Sequence, residues 1–114
     1  ANNTYRGGVI APGISISLNT LIDKASLIPK INLKKIKKVI GIDTNSAVRS
    51  GFFWGYAGLI DNIINLINKE TRKSYKVVIT GGFSNLFKNS IKTKVIENKN
   101  ITVKGLIKIS KLIK

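Results

Sequence analysis

A helical segment at 43–71 dominates the sequence. It opens on DTNS at 43–46, a run of residue types that favour the capping position at the start of a helix. Isoleucines at positions 60, 63, 64 and 67 then repeat at the i, i+3, i+4, i+7 spacing of one helical face. No proline interrupts the segment. The pattern predicts a helix from Asp43 to about Thr71 whose isoleucine face is buried.

Three glycines interrupt the same helix on a different face. Gly51, Gly55 and Gly58 follow i, i+4, i+7 spacing, and each costs an interior helical position about 0.8–1 kcal/mol relative to Ala. Because Gly lacks a Cβ atom, three of them on one face indicate that another backbone or a ligand approaches closely there. The alternative is that a long helix simply tolerates them.

The remaining segments predict alternating strands and helices. Residues 28–43 read as an extended connection because Pro29 ends the preceding helix and no regular period follows. Such alternation predicts an α/β fold with parallel strands, although so few strands make a thin sheet, and we expect further strands upstream. The predicted strands are 4–10, 75–80 (buried) and 93–97, and the other helices are 14–27, 84–91 with Ser84 as N-cap, and 101–114 with Thr102 near its start.

The last helix is basic and amphipathic. That pattern fits either a membrane surface or a helix whose Leu and Ile face packs on a sheet, and we favour packing. The longest apolar run, 52–60, is nine residues long, far below the roughly 20 that span a bilayer. We therefore expect no membrane partner and a cytoplasmic location.

The charge is strongly positive, with 20 Lys+Arg against 5 Asp+Glu and a formal net charge of +15. A nucleic-acid binder is one interpretation. However, Ile, Lys and Asn, all encoded by A/T-rich codons, account for 49 of the 114 residues. The lysines are also spread along the chain, and only three residues are arginine, the usual bidentate phosphate ligand. Nucleic-acid binding is the less favoured interpretation.

Few residue types are present that could carry out catalysis. The sequence has no Cys and no His, which excludes thiol nucleophiles, histidine bases and nearly all zinc chemistry. The five acids are not paired in sequence, and Asp43 is explained by helix capping. By contrast, TGG at 80–82 ends a predicted strand, and the carboxyl end of a strand is where open α/β sheets bind ligands. The sequence therefore shows parts of a binding site and no reaction centre.

Three motifs in order resemble one family along essentially the whole chain. They are GGVIAPG at 7–13, IGIDTNSAVRSGFFWGYAGLID at 40–61 and VVITGGFSNLF at 77–87, and VKGLIKI at 103–109 suits the family's last helix. Each motif alone is weak, and the combination is specific. Together they look like the C-terminal half of type III pantothenate kinase.

The resemblance implies a fold, a reaction and partners. The fold would be that of the acetate and sugar kinase, Hsp70 and actin superfamily, with residues 1–114 as a partial C-terminal ribonuclease-H-like domain, incomplete at its N-terminal side. The reaction would be phosphorylation of pantothenate by ATP, the first step of coenzyme A synthesis. Family members are homodimers that require Mg²⁺ and a monovalent cation such as K⁺ or NH₄⁺. By resemblance, Thr44 would contact pantothenate near the dimer interface, and Gly81 and Gly82 would lie against the adenosine of ATP.

The departures from the family pattern concern catalysis. The phosphate loop D-x-G-N-T, the G-x-D-R segment with the catalytic aspartate, and the second phosphate motif D-x-G-T-A-x-T are absent from this sequence. Where Asp43 stands, family members commonly carry Asn or a similar polar residue. We therefore expect this chain to contain no catalytic residue and to be inactive alone, with the missing N-terminal half supplying the rest. One alternative is a non-catalytic relative acting as a regulatory or nucleic-acid-binding accessory factor. The other is a separate module that pairs with an independently encoded N-terminal half.

Overall fold

The structure is a computed structural model that describes residues 3–25 and 28–113. It combines four helices with two short parallel strands, which confirms the α/β class. In chain order the elements are α1 (Ile14–Lys24), α2 (Thr44–Thr71), β1 (Val78–Ile79), α3 (Ser84–Phe87), β2 (Ile96–Glu97) and α4 (Ile101–Leu112). The predicted continuation of α1 beyond Lys24 was wrong at residue 25, because Ala25 has an extended backbone; residues 26 and 27 lie outside the described residues.

Helix α2 forms over the predicted residues. Asp43 is its N-cap: the Asp43 carboxylate accepts a hydrogen bond from the Ser46 backbone N–H at 2.7 Å, and the Ser46 hydroxyl accepts one from the Asp43 N–H at 3.1 Å. This reciprocal pair satisfies N–H groups that a helix start leaves unpaired. At the other end Arg72 takes the left-handed conformation that commonly terminates a helix.

The extended connection at 28–43 is confirmed, and side chains of α2 hold it in place. Arg49 Nε donates to the Asn32 carbonyl oxygen at 3.0 Å, and the buried Ser50 hydroxyl donates to the carbonyl oxygen of Val39. These carbonyl oxygens have no neighbouring strand as a hydrogen-bond partner, and side chains of α2 act as their donors instead. The segment therefore runs along α2 as an extended connection.

The strands are much shorter than predicted. Residues 75–80 and 93–97 contribute only the pairs Val78↔Ile96 and Ile79↔Glu97, and Val78 is 42% exposed, so the prediction of a buried strand at 75–80 was wrong in length and burial. Residues 4–10 form no strand. A strand is stabilised by backbone hydrogen bonds to a neighbouring strand. The described part of the chain contains almost no neighbouring strand for these segments.

The core is small and centres on α2. Phe53, 1% exposed, stacks on Phe87 with ring centroids 5.8 Å apart, and Ala57 and Ile91 complete the buried cluster. Tyr56 joins the segment just before α1 to this centre by donating its hydroxyl hydrogen to the Pro12 carbonyl oxygen at 2.9 Å. The α2 face with residues 60, 63 and 64 is only half-buried and lines an open apolar groove of about 320 Å³ with residues of β1. The predicted burial of the isoleucine face is therefore incomplete.

Asp61 connects α2 to the segment before β2. Its carboxylate accepts hydrogen bonds from the backbone N–H groups of Lys92 and Thr93 at 2.9 and 3.0 Å and from the Thr93 hydroxyl at 2.9 Å. Burial alone would raise the pKa of Asp61, but these bonds outweigh it and lower the pKa below its ordinary value of 3.8. The carboxylate is therefore charged at neutral pH and is the shared partner of two backbone donors.

Replacing Asp61 is expected to destabilise the fold. Asp61→Ala leaves two backbone N–H groups without their acceptor and should cost about 1–3 kcal/mol, seen as a lower midpoint in thermal unfolding. Since folding lowers the pKa, this stabilisation should be fully present above the ordinary pKa and disappear as the pH falls through the lower, folded-state pKa. Glu70→Ala, on an exposed position of the same helix, is the control; equal shifts in both variants would contradict the assignment.

Two smaller predictions need correction. Phe83, rather than Ser84, is the N-cap of α3, and this helix stops at Phe87 and continues as turns. Helix α4 forms at Ile101–Leu112 with Asn100 as N-cap, but none of its residues is buried. Its apolar face therefore does not pack on the sheet as predicted, because a two-stranded sheet offers too little surface.

The molecule as a whole exposes much surface. Its accessible area is 9345 Å², whereas a compact monomer of this mass exposes about 6,200 Å². Its radius of gyration is 17.2 Å, against about 13 Å for a compact domain of this length. The elements thus hold apolar faces that residues 3–25 and 28–113 do not cover.

Candidate functional site

The two predicted nucleotide-binding glycines form the turn that follows β1. Gly81 has φ +104°, a conformation that residues with a Cβ atom rarely adopt, so this position requires glycine. Its carbonyl oxygen accepts a hydrogen bond from the Ser84 N–H at 3.2 Å, which closes the turn into α3. Gly81 and Gly82 are both exposed, and a Cβ on either would meet no atom within 4 Å. The backbone at the carboxyl end of β1 is therefore open to an approaching ligand.

An open groove of about 500 Å³ lies beside this turn. Gly82 lines it together with Lys34 and Lys35 of the extended connection, and Asn85 and Asn89 lie on the α3 side. Two ammonium groups and two amides suit a ligand with anionic or polar groups. The connection at 28–43 thus contributes charge to the surroundings of the Gly81–Gly82 turn.

Thr44 lies elsewhere, at the first position of α2. Its side chain is exposed, it makes no hydrogen bond to any residue that the structure describes, and it does not line the groove beside Gly82. The adjacent Asp43 is occupied with capping, and hydrogen bonds from the Ser46 backbone N–H and hydroxyl lower its pKa. A free hydroxyl at a helix start can bind a carbonyl or carboxylate. The structure does not itself bring Thr44 and the two glycines into one pocket.

The glycine stripe of α2 is open. Gly51, Gly55 and Gly58 are exposed, and a Cβ placed on any of them would have no neighbour within 4 Å. The close approach expected at these positions is therefore not made within the described residues.

Acidic residues do not gather into a metal site in the described ranges. No group of three or more His, Cys, Asp or Glu residues is present there. Asp43 at the N-cap of α2, Asp61 farther along α2 and Glu97 in β2 are each bound by hydrogen bonds to different residues. These residues do not fit a Mg²⁺ site by themselves. Within the same ranges, no helix has the length and apolarity to cross a membrane.

The sequence did not predict the roles of two residues near the candidate sites. Gly41 packs against the start of α2 so closely that a Cβ would lie 2.3 Å from the Ala47 backbone nitrogen. The sequence feature that could have indicated this close packing is the position of Gly41, two residues before the N-cap Asp43. Glu97, which has no acidic partner in sequence, binds Ser84 beside the Gly81–Gly82 turn at 2.6 Å, and only the parallel pairing of β1 and β2 brings the two together.

Comparisons with known proteins agree with the resemblance found in the sequence. The family profile described as type III pantothenate kinase matches residues 1–66. A protein of Pelagibacter ubique named type III pantothenate kinase is 72% identical over 112 residues, which are 98% of this chain and 45% of that relative. Proteins of the same name from Maricaulis maris and Syntrophotalea carbinolica are each 38% identical, and the matches cover 98% and 93% of this chain but only 43% and 42% of those relatives.

The chain thus spans less than half the length of the relatives it matches. The regulatory, nucleic-acid-binding alternative is not favoured, since these relatives carry the name of a kinase. The matched profile and the identity along nearly the whole chain show that this protein belongs to the type III pantothenate kinase family.

Proposed function

We propose that this chain is the C-terminal part of a kinase that transfers the γ-phosphate of ATP to pantothenate, the first step of coenzyme A synthesis. The observation that carries the proposal is the 72% identity to a type III pantothenate kinase along 98% of the chain. The exposed glycine turn at the end of β1 supports it, because a parallel sheet binds ligands at this edge.

In this proposal, Gly81 and Gly82 receive the adenosine of ATP. A flat base can approach a backbone without Cβ atoms, and both positions are open. Lys34 and Lys35 in the adjoining groove would add positive charge toward the phosphates. The catalytic carboxylate and the phosphate loops would come from the N-terminal part of the complete protein.

The larger architecture is also part of the proposal. Residues 1–114 would be the C-terminal ribonuclease-H-like domain of an actin-like ATPase fold, with its sheet completed by the N-terminal part. The exposed apolar faces of β1 and α4 support this, since they lack cover in the described ranges. The open glycine stripe of α2 would pack in a homodimer. Mg²⁺ and K⁺ or NH₄⁺ would serve the complete enzyme in the cytoplasm.

A chimera provides the test of this function. The chimera carries this chain in place of the matching 45% of the Pelagibacter ubique relative. We expect it to restore growth in a bacterium that lacks pantothenate kinase, and to form phosphopantothenate from ATP and pantothenate in vitro. A folded chimera with no such activity, beside an active parent relative, would contradict the proposed function.

Thr44 is proposed to bind pantothenate through its free hydroxyl. Thr44→Val in the chimera removes the hydroxyl and retains the shape, so the KM for pantothenate should rise about tenfold, the equivalent of one lost hydrogen bond of about 1.4 kcal/mol. Thermal stability should change little, because the side chain is exposed. The exposed Thr102→Val is the matched control. An unchanged KM in the Thr44 variant would contradict pantothenate binding by Thr44. The role of residues 43–46 would then be to cap α2.

A further inference from the structure

Glu97 and the Gly81–Gly82 turn lie at the same edge of the sheet. Ile79 and Glu97 are register partners in the two parallel strands. The turn that follows β1 therefore lies at the same edge of the sheet as the end of β2. The Asn98 N–H donates to the Ile79 carbonyl oxygen at 3.0 Å and fixes this end of the pairing. A side chain from β2 is therefore in reach of the turn after β1.

That contact is made through Ser84. The Ser84 hydroxyl donates to Glu97 Oε2 at 2.6 Å, and Lys88 Nζ lies 3.2 Å from Glu97 Oε1. Ser84 is 2% exposed, and the Glu97 side chain is 17% exposed. Short hydrogen bonds to a carboxylate are about twice as strong as neutral ones, and a buried hydroxyl without a partner is costly. Both carboxylate oxygens are thus engaged, and Ser84 has a fixed orientation.

Ser84 also holds the turn itself. Its backbone N–H donates to the Gly81 carbonyl oxygen at 3.2 Å, while its side chain binds Glu97. One residue therefore links the carboxylate of β2 to the glycine whose φ is +104°. The Ser84 hydroxyl, and after it Lys88, lowers the pKa of Glu97, so the carboxylate stays charged at neutral pH.

We propose that Glu97 is a positioning residue that fixes the Gly81–Gly82 turn through Ser84 in the shape that receives the nucleotide. The inference rests on the proposed function, in which this turn receives the adenosine of ATP. Glu97 does not touch the ligand. It restricts the Gly81–Gly82 backbone, which does contact the ligand in this proposal. The turn therefore loses less conformational entropy when the nucleotide binds.

The test measures both Michaelis constants in the chimera. Glu97→Ala and Ser84→Ala should each raise the KM for ATP about tenfold, or about 1.4 kcal/mol, with the KM for pantothenate changed less than about twofold. Glu97→Gln retains an acceptor for Ser84 and should have a smaller effect. The double variant Ser84→Ala/Glu97→Ala should cost no more than either single one, because both remove the same link. Asp23→Ala, an exposed acid on α1, is the control.

Hydrogen exchange of residues 80–88 tests the inference independently of catalysis. The amides of this segment should exchange faster in Glu97→Ala than in Asp23→Ala, while those of α2 remain unchanged. Unchanged exchange in the segment would overturn the inference even in an inactive chimera. Equal increases in the KM for both substrates, together with faster exchange throughout, would also overturn it, because Glu97 would then only stabilise the fold. Lack of activity in the unsubstituted chimera would count against the proposed function instead.

Discussion

Gly41→Ala is expected to destabilise the protein strongly and to raise the KM for pantothenate of the chimera at least about tenfold. A Cβ at position 41 would lie 2.3 Å from the Ala47 nitrogen, 2.4 Å from the Ala47 Cα and 2.7 Å from the Ser46 carbonyl carbon. All three are backbone atoms in the first turn of α2. They cannot rotate aside as the end of a side chain can, so the helix start or the connection must move.

That movement affects stability and the candidate pantothenate site together. Overpacking of this kind costs about 1–3 kcal/mol or more. Displacing the first turn also separates the Asp43–Ser46 capping pair, whose bonds of 2.7 and 3.1 Å fix the start of α2. Thr44 lies between these two residues and would move with them. If Thr44 binds pantothenate as proposed, loss of its defined position would raise the KM at least as much as the about tenfold expected for Thr44→Val, even in a variant that remains folded.

Gly13→Ala is the matched control for this prediction. Gly13 is the residue before α1, has an extended backbone, and would meet no atom within 4 Å if it carried a Cβ. The thermal unfolding midpoint and the KM for pantothenate are measured for both variants. A Gly41→Ala protein with the stability and kinetics of the Gly13→Ala protein would contradict the close packing at the start of α2.

The isolated chain is expected to form no phosphopantothenate, whatever the concentrations of ATP, Mg²⁺ and K⁺. Its described residues contain no cluster of acids that could hold a metal, and Asp43, Asp61 and Glu97 are already bound by hydrogen bonds within the fold. Phosphoryl transfer depends on positioned groups that orient the nucleophile and neutralise developing charge. In the proposed enzyme these groups belong to the part of the protein outside this chain.

The chimera is the positive control for the isolated chain. Product is measured by mass spectrometry, with the purified chain and the chimera at equal concentration. We expect phosphopantothenate with the chimera only. Turnover by the purified chain that scales with its concentration would contradict the division of roles proposed here.

Local sequence signals predicted the whole of α2 and the start of α1 because helices are local structures. The bounds of α2 followed from the capping residues at 43–46 and the uninterrupted run to Thr71, and the structure places the helix there. The start of α1 after Pro12-Gly13 was correct for the same reason. A helix closes its hydrogen bonds within its own segment, so its sequence carries most of the information.

Strands depend on partners that are distant in sequence. The Val and Ile residues at 75–80 have the composition of a buried strand, yet only Val78–Ile79 pairs, because β2 is the one neighbour within the described ranges. Helix α4 likewise has the predicted period but no surface to cover it. Propensity shows what a segment can form, and tertiary partners decide how much of it does form.

The candidate site was predictable in part. TGG at 80–82 marked the turn after a strand, and the structure adds the +104° angle that makes Gly81 necessary. Gly41 was indicated in the sequence only by its place before the N-cap, and Glu97 by nothing, because each role depends on a contact with another element: Gly41 with the α2 backbone and Glu97 with Ser84. The ligand assignments of Thr44, Gly81 and Gly82 remain predictions.

The central claim is that this chain is one part of a longer kinase, and the mass of the native gene product tests it most directly. Immunoblotting or intact mass spectrometry of source cells would measure it. The account predicts a product more than twice the 12.5 kDa of this chain, as the 45% coverage of the Pelagibacter ubique relative implies. A native product of 12.5 kDa would contradict the account and would indicate a separate module whose partner must be found.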